Sequence, residues 1–88
     1  MNNRFTYLIA GVGHTTCMRY DLQEDTWDTI PEIKGPGRRL HGCCFVAGKI
    51  YMFGGQHGNA LLRDVQVLPF HEDLEAQNRE EWSVLRND

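Results

Sequence analysis

At 88 residues and 10.2 kDa the chain is long enough for one small domain at most, and its 41% hydrophobic and 24% charged residues are ordinary globular usage, which excludes bulk disorder. Nine Lys and Arg against twelve Asp and Glu leave a net charge of −3, too acidic a balance for a generic nucleic-acid binder or a polybasic membrane anchor. No apolar run nears the roughly 20 residues that a membrane-spanning helix needs, and Met1 to Tyr7 lacks the apolar middle and cleavage site of a secretory signal.

The elements expected in chain order are strands. Phe5–Ala10 is short and apolar on alternating and intervening positions alike, as in a strand covered on both sides. Gly11-Val12-Gly13 interrupts it, Thr15–Tyr20 forms a second strand, and Asp21–Asp25 is a polar, acidic turn. Thr26–Ile30 alternates as a third strand and stops at Pro31. After Gly35-Pro36-Gly37, the strongest punctuation in the chain, Leu40–Val46 is a strand, Ala47-Gly48 a two-residue hairpin turn with Gly48 at positive φ, and Ile50–Phe53 the returning partner that ends at Gly54-Gly55. Gln56–Leu62 is expected as a loop and Arg63–Leu68 as the next strand. Pro69–Glu80 is polar and acidic, with a short helical turn around Leu74–Gln77, and Glu81–Leu85 is the last strand.

Three cysteines, Cys17, Cys43 and Cys44, are an odd number, and adjacent Cys43 and Cys44 on a strand point to opposite faces, a poor geometry for a shared bridge. A disulfide framework is therefore not expected, and a reducing, cytoplasmic location is. All three cysteines are expected as small buried apolar residues.

The chain repeats itself. A shift of 44 places Tyr7 on Tyr51, Leu8 on Met52, Ile9 on Phe53 and Ala10-Gly11 on Gly54-Gly55, and Trp27–Ile30 then corresponds to Trp82–Leu85 after an insertion of 11 residues. The pattern resembles the kelch repeat. The second copy carries it best: Arg38-Arg39-Leu40-His41 opening a strand, Gly48–Gly55 with its apolar run and glycine pair, Val65-Gln66-Val67, and Trp82 with Leu85. The first keeps Tyr7, Gly11, Tyr20-Asp21, Trp27 and Ile30-Pro31 but has Ala10 in the glycine pair and no opening Arg-x-x-His strand. The second departs from the pattern at Pro69-Phe70, where the family has Tyr-Asp.

The resemblance implies an all-β fold of antiparallel four-stranded propeller blades, here about one and three-quarter of them against the roughly 4–8 of a closed ring. Residues 1–31 form a partial blade of three strands, 32–37 an inter-blade loop, and 38–88 a full blade with a long loop at 69–80 between its third and fourth strands. In such a blade Tyr7, Gly11, Trp27, His41, Tyr51, Gly54, Gly55 and Trp82 are structural, the tryptophans filling the widening wedge between blades. Two blades alone leave apolar faces open, so the chain is expected as a piece of a longer propeller or as a homo-oligomer that completes a ring.

No Cys-x-x-Cys or His-x-x-x-His spacing supports zinc, the glycines precede neither a helix nor Lys-Ser or Lys-Thr as a phosphate loop would, and no assisting base accompanies a cysteine nucleophile. The expectation is a non-enzymatic chain with no metal and no cofactor. Up-and-down strands bring 12–14, 56–60 and 34–39 to one face, and in the kelch family that face commonly binds a peptide segment of a partner. Arg38, Arg39, Gln56, His57, Asn59 and His14 are the candidate partner-binding residues, Arg being suited to carboxylates; the alternative for Arg38 is that it holds its own blade. The function implied is a protein-interaction module of adaptor or scaffold type, with a protein as partner rather than nucleic acid or membrane. The competing readings are a piece of a kelch-built copper or iron enzyme whose ligands lie outside this chain, and an inactive structural remnant.

Overall fold

Seven antiparallel strands make two sheets in a computed structural model that describes residues 4–11 and 13–86. The first sheet has the order β1 (Phe5–Gly11), β2 (His14–Asp21), β3 (Thr26–Ile30). The second has β4 (Gly42–Val46), β5 (Lys49–His57), β6 (Ala60–Pro69) and β7 (Ser83–Arg86), with the one-turn helix α1 (Leu74–Gln77) between β6 and β7. The all-β, blade-like architecture is as expected. Residues 1–3, Val12 of the first candidate loop, and 87–88 lie outside the described residues.

Each element follows from its local chemistry. Val46 pairs with Lys49 around Ala47-Gly48, both at positive φ as a two-residue type I′ turn requires. Asp73 caps α1, its carboxylate accepting from the Ala76 N–H at 3.0 Å. Three boundaries differ from expectation. Leu40 turns the chain at φ +59 and is exposed, so β4 starts only at Gly42 and His41 precedes it. The segment 56–62 is no loop: β5 and β6 pair out to His57 and Ala60 around Gly58-Asn59. Glu81 and Trp82 precede the last strand, which starts at Ser83.

The core lies between the sheets. Ile9, Cys17 and Ile30 of the first sheet and Ile33 of the connector pack with Ile50, Met52, Leu68 and Trp82 of the second blade. Phe70 seals one end, its ring 5.5 to 6.4 Å from those of Phe5, Tyr7 and Phe45. Trp82 is fully buried and donates its indole N–H to the Pro31 carbonyl at 2.9 Å, so the wedge-filling indole also ties down the connector. Trp27, expected in the same role, is more than half exposed, since no sheet among the described residues covers its face. For the same reason β1 and β5 are covered on one face only: Leu8 and Phe53 are exposed. Cys43 and Cys44 are exposed as well, since β4 is an edge strand, whereas Cys17 is buried and its thiol is pushed up to about 11 by that burial.

Candidate functional site

The connector between the sheets becomes a two-sided strap. Arg38 pairs with His14 of the first sheet, Gly13 N–H donating to the Arg38 carbonyl at 3.3 Å and Arg38 N–H to that of His14 at 3.4 Å. The next residue, Arg39, pairs with Gln56 of the second, its N–H donating at 3.0 Å and its carbonyl accepting at 2.8 Å. The strap runs so close to the first sheet that a Cβ on Gly37 would sit 1.9 Å from the Gly13 carbonyl oxygen, which only glycine avoids. His57 Nδ1 donates to the Gly37 carbonyl at 2.8 Å, fixing the ring and leaving Nε2 free of that bond.

These contacts gather Arg39, Gln56 and His57 around a shallow pocket of about 220 Å³, closed by Gly13 and Gly58. His14 lies beside it, exposed, across the strap. Asn59 is exposed at the tip of the β5–β6 hairpin, outside the pocket lining. Arg38 is different: its side chain is fully buried and bonded to Asp64, to Gly54 O at 3.1 Å, Pro36 O at 3.3 Å and Lys34 O at 3.3 Å. The guanidinium holds its blade and does not face solvent, which corrects its place among the partner-facing residues. His41 also serves the fold, its Nε2 bonded to the Ile9 carbonyl on the free edge of β1.

Sequence reasoning missed Gln66 and Asp64, which complete the strap's anchorage. Gln66 is fully buried, accepts from Lys34 N–H at 2.9 Å and donates to Lys34 O at 2.7 Å and to Asp64 at 2.9 Å. The signal lay in Asp64 and Gln66, polar residues two apart and therefore on one face of a strand whose only other polar residue is Arg63.

The model of the Kelch motif family matches residues 37–68, from the strap to the penultimate residue of β6. The chain carries a kelch repeat. No curated protein matches the chain. The matched stretch lies in the four-stranded sheet, and the three-stranded sheet repeats it: the pairs Tyr7–Arg19 and Ile9–Cys17 stand where Tyr51–Val67 and Phe53–Val65 stand, and a bulge interrupts both after the second pair. The chain thus holds two blade-like sheets, the second of them carrying the kelch motif. Kelch repeats commonly mediate protein–protein interactions. Among the described residues no helix is long and apolar enough to cross a membrane, and no cluster of three or more His, Cys, Asp or Glu side chains converges as a metal-binding group.

Proposed function

We propose that the protein is a non-enzymatic kelch-type interaction module, of adaptor or scaffold kind and acting in the cytoplasm, that grips a peptide segment of a protein partner on its loop face. The observation that carries this reading is the pocket in which Arg39, whose guanidinium can grip a carboxylate, stands on a backbone-bonded strap beside the Gln56 amide and the His57 ring, whose Nε2 donates to a carboxylate only when the ring is protonated, since Nδ1 already donates to Gly37. A small concave site with a guanidinium and an amide carried on hydrogen-bonded backbone suits a segment bearing Asp, Glu or a free carboxyl terminus. His14 extends the donor row on one side.

Peptide-display selection against the chain and its Arg39→Ala, His57→Ala double variant tests the proposal. The wild-type chain is expected to enrich acidic peptides, and the double variant to bind the enriched peptides at least about tenfold more weakly, the effect of losing charge-assisted hydrogen bonds. Equal binding by both proteins rejects the loop face as the site.

A further inference from the structure

The two blades are copies in register as well as in sequence, so each residue of the first has a counterpart in the second that points to the same relative face. One face of the second blade carries Met52, Leu68 and Trp82, all fully buried against the first blade. Their counterparts on the first blade are Leu8, Tyr20 and Trp27. There Leu8 is 55% exposed and Trp27 54% exposed, with the Tyr20 and Trp27 rings in tilted contact at 5.0 Å. On the opposite faces the relation inverts. Ile9 and Cys17 are buried in the internal interface, whereas their counterparts Phe53 and Val65 are 42% exposed and half-buried. The molecule therefore contains one completed interface and, at its two ends, the two unmatched halves of the same interface.

We propose that a second copy of this chain docks head to tail, setting its Tyr51–Phe53–Val65 face on the Leu8–Tyr20–Trp27 face and so reproducing the internal contact. The choice of occupant rests on that continuity. The face that seals Trp82 is built from the first blade's Tyr7, Ile9 and Cys17, and the chain presents the equivalent face again on its second blade. Joining unlike faces leaves one free face at each end, so further copies add until the rotation closes. With two blades per copy and roughly four to eight blades in a closed propeller, the assembly holds about two to four copies. This docking uses the sheet faces and is independent of the loop-face reading above.

Molar mass in solution, by light scattering and sedimentation, tests the proposal with two variants, Trp27→Asp and Phe53→Lys. Both positions are exposed in the single copy, so each variant is expected to keep the circular dichroism spectrum of the wild type. The wild-type chain is expected as a discrete species of about two to four copies, and each variant alone as a monomer, with at least about a tenfold loss of association. Equimolar mixing of the two variants is expected to give a one-to-one dimer, because the Phe53→Lys copy keeps an intact Trp27 face and the Trp27→Asp copy an intact Phe53 face. If either charged variant loses the wild-type spectrum, Trp27→Thr and Phe53→Thr replace it, threonine being at home in strands. A monomeric wild type, aggregates of undefined size, a Phe53 variant that still assembles, or mixed variants that stay apart would each overturn the proposal.

Discussion

Arg38 and Asp64 form an ion pair in which the guanidinium is fully buried and the carboxylate nearly so. Burial works to raise the Asp64 carboxyl, but the hydrogen bonds from Arg38 and Gln66 outweigh it and leave the group below its ordinary value. The remaining donors of Arg38 go to the carbonyls of Lys34, Pro36 and Gly54. The pair thus fastens the strap to β6 and to β5, the strand that presents Gln56 and His57.

Removal of Asp64 leaves a fully buried guanidinium without its counter-charge, and removal of Arg38 leaves a largely buried carboxylate without its main donor. Arg38→Met and Asp64→Asn are each expected to destabilise the fold by about 3–5 kcal/mol in urea unfolding. The double variant is expected to lose less than the sum of the two. Arg38→Lys should not restore stability, since an ammonium cannot span Asp64 and three carbonyls as the planar fork does. Strictly additive losses would show that the two side chains are not coupled.

Asp21 governs the acid side of the stability curve. It accepts from Arg4 at 2.9 and 3.0 Å and from the backbone N–H groups of Gln23 and Glu24 at 3.0 and 3.2 Å. The Arg4 bonds lead in holding its carboxyl down to about 2, against burial, which acts in the opposite direction. Because the folded-state value lies below the unfolded one, the contribution is complete above about pH 4 and is lost as pH falls towards about pH 2. Asp21→Asn is expected to be less stable than the wild type at neutral pH, with unfolding midpoints that converge near pH 2. Parallel curves across that range would refute the assignment.

Periodicity located all seven strands, the Ala47-Gly48 turn and the turn of helix near Leu74, because each is written in residues close along the chain. Burial was less legible. An apolar strand such as Tyr51-Met52-Phe53 looks the same whether one face or both are covered, and only the presence of a neighbouring blade decides it. The two tryptophans, alike in local sequence, make the point directly: Trp82 has a sheet against its indole and Trp27 does not. The site suffered similarly. Arg38-Arg39 gives no local sign that one guanidinium is buried and the other exposed, since the buried one is selected by Asp64, a carboxylate 26 residues further on. Gly-Pro-Gly marked a break, but Gly37's close approach to Gly13 is visible only when the blades are assembled.

The bulge shared by the blades supplies a further test. Ala10 and Gly54 occupy the same bulge position at φ +53 and +51. An L-residue there carries roughly 1–2 kcal/mol of steric strain, and replacing it by glycine returns about 0.5–1 kcal/mol as added freedom of the unfolded chain. Ala10→Gly is therefore expected to stabilise by up to about 1 kcal/mol in thermal or urea unfolding. The reciprocal change is not its mirror image. A Cβ on Gly54 would stand 2.8 Å from the Leu62 carbonyl oxygen, so Gly54→Ala adds a clash to the same φ penalty and should lose more than about 2 kcal/mol. A destabilised Ala10→Gly variant would show that the first blade relies on the Ala10 methyl in its core more than it suffers from the backbone, and the strain argument at this bulge would fall.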